Sequence, residues 1–370
     1  MLGVYGVFTP LVAPGWRGYY HKPVSSYGYF PTESELALNG VAQAALHECA
    51  AAATRNKFGK KVFVRAVVEV SNFCRENCGY CGMRRDNRAL ARYRAKHEQI
   101  AELLIHHRPA SVTDVNIQSG EDPVVVREVV LPLIETLRRE TPLGISVCLG
   151  TLPRGLYDEL QSVGATIFIM KFECADAGQY EEFEAPGTLD ERVSHIHLLV
   201  ENNWNVSSGF IACLPGQTPR DLLKNFELAR ALPLSGCSVS PFIPGEDTPL
   251  AKNPTANSNW TFNCVSALRL MRPDWVIPAV SAFNLAAQDG YRLGLRAGAN
   301  LVMINLTPDD LRGDYVIYKR DRFIMNEERV LNAIAAEGLA PSKQGLAEFY
   351  RSKIANGAVV EKFSAPAIQA

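Results

Sequence analysis

Short apolar runs alternate along the chain with longer segments in which apolar residues recur every three to four positions. The short runs predict β-strands and the longer segments predict amphipathic helices, and this alternation favours a parallel sheet with crossover helices. Eight such units occupy about 250 residues, the size of a complete (β/α)8 barrel of the TIM type, with a partial barrel of six units as the alternative. The predicted strands are 62–70, 112–118, 144–149, 165–172, 205–213, 236–242, 275–282 and 300–305, and the predicted helices between them are 96–107, 124–139, 188–202, 218–231, 258–271 and 284–297.

Helical segments flank the predicted barrel on both sides. Residues 34–56 are predicted to form a helix before the first strand, and residues 326–355 two more helices, the first with Asn326 as its N-cap. The expected division of this α/β chain is an N-terminal extension with a helix over residues 1–60, the barrel over residues 61–310 and a C-terminal helical cap over residues 311–370.

Composition narrows the class of protein. Of the 370 residues, 47% are hydrophobic and 21% charged, as in ordinary globular proteins, and the formal net charge of −1 gives no bulk attraction to nucleic acid or to an anionic membrane. The apolar residues 1–16 lack a basic start and are interrupted by Pro10 and Pro14, so we interpret them as neither a signal peptide nor an anchor. Nine cysteines are too sparse for a secreted disulfide scaffold, and we expect a cytoplasmic protein.

The first predicted strand carries polar residues on one face. Its even positions from 64 to 70 are apolar and should contact the helices, so Arg65 and Glu69 should point into the barrel. The same alternation places further polar residues inside, namely Asn116, Gln118, Lys171, Glu173, Ser238 and Ser240. Because buried charge is costly unless it is paired or solvated, this interior predicts a cavity that holds a polar molecule. The alternatives are an internal Arg65–Glu69 salt bridge or a wrongly assigned strand face.

Three cysteines follow the first strand with the spacing CxxxCxxC, namely Cys74, Cys78 and Cys81. A barrel carries its active-site loops at this end of its strands. Three thiolates on one short loop can bind three irons of a [4Fe–4S] cluster and leave the fourth iron open to another ligand. Zinc is an alternative, although structural zinc sites normally use a second Cys/His pair that is missing here. A chance group of core cysteines is a third interpretation. Cys148, Cys174 and Cys213 lie near the ends of the third to fifth predicted strands and could gather at the mouth of the barrel, but we interpret them as buried free thiols.

The cysteine loop, with Tyr80 before its last cysteine, resembles that of the radical S-adenosylmethionine (SAM) superfamily. The resemblance covers about residues 34–340 and is strongest to the branch with the [FeFe]-hydrogenase radical maturase, 3-methylornithine synthase and biotin synthase. It is carried by residues 71–94 and by the segments Gln118-Ser-Gly-Glu-Asp-Pro123, Leu214-Pro-Gly-Gln-Thr218, Pro241-Phe-Ile-Pro244, Leu268-Arg-Leu-Met271 and Ala297-Gly-Ala-Asn300.

The resemblance implies that Cys74, Cys78 and Cys81 ligate a [4Fe–4S] cluster whose open iron binds the amino and carboxylate groups of SAM. Reduction of the cluster, by an electron donor of the flavodoxin or ferredoxin type, would cleave SAM into methionine and a 5′-deoxyadenosyl radical. The positions that match SAM contacts in the family are Tyr80, Ser119, Gly120, Glu121, Glu173, Arg192, Ile211 and Phe242.

The substrate side departs from these relatives. Arg65 keeps its place, whereas of two basic positions on the fourth strand one is Lys171 and the other is Ile167. We expect a small anionic or zwitterionic substrate, held by the polar set Arg65, Asn116, Lys171 and Ser281, with no nucleic acid or membrane as partner. The leading hypothesis is a radical SAM enzyme of the mutase, lyase or synthase type that modifies an amino-acid-derived metabolite. The alternatives are a metallocofactor maturase acting on an iron–cysteine species and a non-catalytic iron–sulfur carrier.

Overall fold

Parallel strands form one sheet around a central cavity in the computed structural model, which describes residues 28–320 and 323–355. The strands are β1 (Lys61–Ser71), β2 (Asp114–Ser119), β3 (Gly144–Cys148), β4 (Ile167–Ile169), β5 (Asn205–Ala212), β6 (Gly236–Pro241), β7 (Leu301–Asn305) and β8 (Ala340–Pro341). Their order in the sheet is β6-β5-β4-β3-β2-β1-β7, and the short β8 pairs with the start of β1.

Residues 276–278 join the two outer strands of this sheet. Val276 forms a parallel bridge to Gly236 of β6, and Pro278 forms one to Leu301 of β7. This is the segment predicted as a strand over 275–282, and it is reduced to two bridges because proline has no N–H to donate to a neighbouring strand. The predicted TIM-type α/β barrel is therefore confirmed, with one of its eight strand positions held by isolated bridges.

Helices cover the outside of the sheet, and further helices precede and follow the barrel in the chain. They are α1 (Glu33–Leu36), α2 (Gly40–Phe58), α3 (His97–His106), α4 (Pro123–Val125), α5 (Leu131–Glu140), α6 (Arg154–Ser162), α7 (Ala177–Glu182), α8 (Leu189–Glu201), α9 (Pro219–Ala231), α10 (Ser258–Met271), α11 (Phe283–Ala286), α12 (Gly290–Arg296), α13 (Asp309–Arg312), α14 (Glu327–Ala336) and α15 (Leu346–Ala355), with a π-helical turn over Val126–Val130. Among these described helices, none is both long and apolar enough to cross a membrane.

One predicted helix start is confirmed, and one predicted helix is divided into two. Asn326 is the N-cap of α14, where its side chain accepts a hydrogen bond from the Arg329 N–H at 3.0 Å, as predicted. The helix predicted over 284–297 is instead α11 and α12, separated by Asp289 in a left-handed conformation with φ 58°. The division into extension, barrel and cap stays a prediction, and residues 1–27 and 356–370 lie outside the described residues.

Candidate active site

A cavity of about 370 Å³ occupies the inside of the barrel. Its lining includes every site residue predicted from the sequence, which are Arg65, Cys74, Cys78, Tyr80, Cys81, Ser119, Gly120, Glu121, Lys171, Glu173, Arg192, Ile211, Phe242 and Ser281. The fold therefore brings together side chains that are as many as 216 positions apart in the chain, from Arg65 to Ser281. Their individual roles remain predictions.

The polar face of β1 points into this cavity. Arg65, Val67 and Glu69 line it, whereas Val64 and Val68 lie in the core beneath the helices, as the alternation predicts. The Glu69 carboxylate accepts hydrogen bonds from Asn305 Nδ2 and Thr307 Oγ1, both at 3.2 Å. Among the ion pairs of the described residues there is none between Arg65 and Glu69, the alternative considered from the sequence. The predicted inward polar residues of the second, fourth and sixth strands line the cavity as well.

A half-buried arginine, Arg92, organises the loop that carries the three cysteines. Arg92 donates hydrogen bonds to the backbone carbonyls of Asn72, Met83, Arg84 and Asn87, at 2.5 to 3.2 Å. One guanidinium thus replaces the regular hydrogen bonds that this irregular loop lacks, since its planar fork can reach several carbonyls at once. The sequence resemblance included this arginine but gave it no role.

A carboxylate at the end of β2 ties down both ends of the same loop. Asp122 accepts hydrogen bonds from Ser71 Oγ at 2.9 Å and from Arg94 Nε and Nη2 at 2.7 and 3.0 Å. The Arg94 guanidinium also lies over the Phe73 ring, 4.3 Å from its centroid. These contacts fix the first cysteine beside the end of β2. The segment 118–123, which carries part of the sequence resemblance, includes Asp122, but the resemblance assigned it no role.

Gly120 allows β2 to approach the cysteine loop closely. A Cβ at this position would overlap the Phe73 carbonyl oxygen and lie 2.8 Å from Cys74 Cβ. The next residue, Glu121, points its backbone N–H at Cys74 Sγ with a distance of 3.4 Å. Backbone N–H groups directed at ligand sulfurs are among the contacts that tune iron–sulfur clusters. This cradle therefore fits a cluster bound through Cys74.

The three loop cysteines are free thiols that face the same cavity. Burial raises the pKa of Cys74 and Cys78, and it raises that of Cys81 to about 12, so without a metal these groups stay protonated near neutral pH. Iron binding would displace the protons. Among the described residues, no three His, Cys, Asp or Glu side chains converge on the position of a single metal ion. A [4Fe–4S] cluster does not require this, because each of the three thiolates binds a different iron.

Glu121 and Arg192 form a buried ion pair beside the cysteine loop. Arg192 Nη2 lies 3.0 Å from Glu121 Oε1, and its Nη1 donates to Thr151 Oγ1 at 2.8 Å. Burial raises the pKa of Glu121 despite this pairing, and the pKa of Arg192 is raised because Glu121, Tyr180 and Glu173 outweigh its own burial. The Arg192 Nε has no hydrogen-bond partner among the described residues. A buried donor of this kind suits a polar or carboxylate group of a bound molecule.

Lys171 and Glu173, which follow β4, form a second ion pair in the cavity, with Nζ and Oε2 2.8 Å apart. Glu173 has a left-handed backbone with φ 59°, which is costly for a residue with a side chain. The conformation is held because its N–H donates to the Gly209 carbonyl at 3.1 Å and its carbonyl accepts from the Ile211 N–H at 2.8 Å. These two backbone hydrogen bonds to β5 hold Glu173 so that its side chain lines the cavity.

Of the three cysteines predicted to be buried free thiols, Cys174 is buried as expected, whereas Cys148 and Cys213 are free thiols that are only partly buried. Cys174 and Cys213 do not line the cavity, and their thiols contact Gln179 Oε1 at 3.4 Å and the Asn257 carbonyl at 3.8 Å. Cys148 does line it, at the end of β3 and in register with Gln118. Its position on the inner face of a strand was the signal that could have identified it.

The chain belongs to the radical SAM superfamily. The model of that superfamily matches residues 68–229. The chain is 32% identical over 274 residues to the [FeFe] hydrogenase maturase subunit HydE of Thermotoga maritima, an alignment that covers 74% of this chain and 78% of the relative. It is 27% identical over 294 residues to the 3-methylornithine synthase of Methanosarcina barkeri, covering 78% and 82% of the two chains.

The fold agrees with this assignment. The crystal structure of methylornithine synthase (PylB) superposes with a TM-score of 0.77 at 24% identity and covers 88% of this chain and 97% of that structure. The protein is therefore a radical SAM enzyme, and its cofactors are a [4Fe–4S] cluster and SAM. The resemblance stated from the sequence is confirmed, and the geometry of the cysteine loop fits these cofactors.

Proposed function

We propose that this enzyme removes a hydrogen atom from a small, amino-acid-derived substrate that carries a carboxylate, and so rearranges, fragments or modifies it. The observation that carries the proposal is the state of Arg65, a charged side chain deep in the cavity without an adequate partner. Its exposed fraction is 5%. Since a buried, unpaired charge costs several kcal/mol, such a residue is typical of a site that receives the opposite charge from a ligand.

The contacts of Arg65 are weak on every side. Among the described residues its Nη1 lies 3.4 Å from Ser146 Oγ, its Nη2 lies 3.5 Å from Met303 Sδ, and its Nε has no hydrogen-bond partner. Burial lowers its pKa, and the carboxylate that opposes this effect most is Asp114. That carboxylate already accepts the N–H groups of Leu346 and Ala347. A substrate carboxylate would supply the bidentate partner that the guanidinium lacks.

The wall above Arg65 carries both signs of charge. Lys171 and Glu173 are paired there, and Glu69 lies four residues further along the same strand face. An ammonium group and a carboxylate on one small molecule would match this distribution. We therefore assign Arg65, Lys171 and Ser281 to the substrate, which favours a zwitterion over a simple anion.

We assign the cofactors to the other half of the cavity. Cys74, Cys78 and Cys81 would hold the cluster, which together with SAM supplies a 5′-deoxyadenosyl radical when both are bound and the cluster is reduced. The residues that would hold SAM are Tyr80, Ser119, Gly120, Glu121, Glu173, Arg192, Ile211 and Phe242. The role of the remaining wall is to exclude water from the reacting carbon.

We infer that a flavodoxin-type or ferredoxin-type protein supplies the electron, because enzymes of this family need a reductant. A cytoplasmic location is consistent with nine free cysteines, since reducing compartments keep thiols unpaired.

A second candidate is maturation of a metallocofactor from an iron–cysteine species. It is favoured by the identity to the relative named as an [FeFe] hydrogenase maturase subunit, and a cysteine carboxylate would suit Arg65 equally well. The alternative of a non-catalytic iron–sulfur carrier is not retained, because the chain belongs to a superfamily of enzymes that cleave SAM.

The decisive experiment measures deuterium transfer into 5′-deoxyadenosine from a panel of deuterated amino acids. We expect transfer from at least one of them with wild-type protein. Replacing Arg65→Gln should preserve cluster content and lower substrate-dependent turnover by about 10- to 100-fold, the loss expected for one buried charged contact. Arg88→Gln, at an exposed position of the cysteine loop, is the control. Unchanged turnover in Arg65→Gln would remove this residue from the substrate site.

A further inference from the structure

The C-terminal helix α15 lies at the amino end of the barrel, opposite the cysteine loop. The chain reaches this end through β8, where Ala340 and Pro341 pair with Lys61 and Val62 at the start of β1. The cysteine loop begins at the other end of the same strand, after Ser71. The helix therefore closes the end of the cavity that is furthest from the cofactors.

The first turn of α15 is attached to β2. Asp114, the first residue of that strand, accepts hydrogen bonds from the backbone N–H groups of Leu346 at 2.8 Å and Ala347 at 3.2 Å. A carboxylate at this position satisfies N–H groups that have no partner within the helix and interacts favourably with the positive end of its dipole.

The later turns of α15 are attached to the opposite side of the ring. Tyr350 donates its hydroxyl to the backbone carbonyl of Ser235, which directly precedes β6, at 3.3 Å. Lys353 Nζ lies 3.3 Å from Asp274 Oδ2, just before the bridging segment 276–278. The helix thus spans the barrel from β2 to β6 and lies across the opening.

Two side chains of α15 enter the barrel and form its floor. Leu346 and Tyr350, one helical turn apart, are 2% and 4% exposed, and both line the cavity. They pack in one apolar cluster with the lowest inward-facing residues of the barrel wall, which are Phe63, Ile167, Val276 and Leu301. The inner surface of the floor therefore comes from the C-terminal helix as well as from the strands.

This floor lies directly below the charged group that we assign to the substrate. Phe63 and Arg65 are successive inward residues of β1, so their positions differ by about 6.6 Å along the strand. A carboxylate held by Arg65 would therefore have the apolar floor beneath it. Groups larger than hydrogen on the carbon next to that carboxylate would then contact Leu346 or Tyr350.

We propose that Leu346 and Tyr350 are specificity-determining residues, which make the chamber accept an amino acid bound with its carboxylate toward the floor and reject bulk on its C2 carbon. The proposal rests on the proposed function, because it takes the ligand of Arg65 to be a substrate carboxylate. It adds the direction in which the substrate lies and the part of the chain that limits its size.

The test varies two things together, the side chain at position 346 and the substituent on C2 of the ligand. Leu346→Ala removes three side-chain carbons, more than the volume of one methyl group, and should admit ligands that the wild type excludes. The probes are straight-chain 2-amino acids of four to eight carbons, each with hydrogen or methyl at C2. Their binding to protein loaded with cluster and SAM is measured by ligand-observed NMR.

We expect wild-type protein to bind the C2-hydrogen forms at least fivefold more tightly than the C2-methyl forms. In Leu346→Ala this preference should fall to twofold or less. Glu348→Ala, an exposed position on the same helix, should keep the wild-type preference. Because truncation of a buried leucine can prevent folding, Leu346→Val provides a milder variant in which the preference should be intermediate.

The possible outcomes distinguish a failure of the proposed role of Leu346 and Tyr350 from a failure of the proposed reaction. An unchanged preference in both Leu346 variants, or the same change in Glu348→Ala, overturns the assignment of the floor. If the preference shifts while no deuterium reaches 5′-deoxyadenosine, the floor assignment stands and the proposed reaction fails. If neither wild-type nor Leu346→Ala protein binds any probe, both proposals are wrong.

Discussion

The two halves of the cavity are built in different ways. At the cysteine loop, most contacts involve the backbone. Arg92 donates to four backbone carbonyls, and the backbone of Gly120 closely approaches that of Phe73. At the floor, side chains pack on side chains, and one pair of backbone N–H groups bonds to Asp114. A backbone-directed site tolerates few changes, whereas a packed apolar floor can change shape with its side chains. We therefore expect substitutions to be tolerated better at the floor than at the cysteine loop.

Loss of one ligand cysteine should abolish cluster binding in the cofactor half of the cavity. In Cys78→Ala, the cluster loses one of three thiolates, so iron content, visible absorbance and SAM cleavage should all fall to the level of protein without a cluster. Cys49→Ala, at an exposed position outside the cavity, should match wild type. Retained SAM cleavage in Cys78→Ala would contradict the ligand assignment.

A methyl group at Gly120 should separate β2 from the cysteine loop. Because the new Cβ would overlap backbone on the facing segment, Gly120→Ala should destabilise the protein by about 3 kcal/mol and reduce cluster loading. Gly155→Ala, where nothing lies within 4 Å of the added methyl, should be neutral or stabilising by about 0.5 kcal/mol. Thermal unfolding and iron content test both. Equal effects at the two glycines would show that the close approach is unimportant.

Replacing Arg92→Lys keeps the charge at the centre of the cysteine loop but removes the planar fork. Since an ammonium cannot reach all four carbonyls, we expect a loss of about 2 kcal/mol in stability and slower cluster assembly. Arg88→Lys, exposed in the same loop, is the control. If Arg92→Lys assembles its cluster at the wild-type rate, the loop does not depend on these hydrogen bonds.

The smallest effect is expected at the floor. Asp114→Asn retains the shape of the side chain but leaves one acceptor oxygen for the backbone N–H groups of Leu346 and Ala347, so the protein should lose about 1.5 kcal/mol. Cluster content and SAM cleavage should not change, because Asp114 lies at the opposite end of β2 from the cysteine loop. Asp158→Asn, exposed on α6, is the control. A loss of cluster in Asp114→Asn would show that the two halves of the cavity are coupled.

Local patterns were sufficient to predict much of this molecule. Period-two alternation in β1 separated Arg65 and Glu69 from the core valines, because successive side chains of a strand point to opposite faces. The spacing of Cys74, Cys78 and Cys81 indicated an iron–sulfur site because a short loop can present three thiolates together. Asn326 was identified as an N-cap from its residue type and the helix that follows.

Contacts between distant parts of the chain were decided only by the tertiary structure. The sequence does not reveal that Asp114 meets Leu346, 232 positions away, or that α15 forms the floor of the cavity. It also favoured an ordinary strand over 275–282, where the fold has only two bridges at Val276 and Pro278. The physical reason is range: the alternation of faces and the spacing of ligands act within a few residues. The depth of the chamber and the partner of a buried charge depend on which distant side chains the closed barrel brings together.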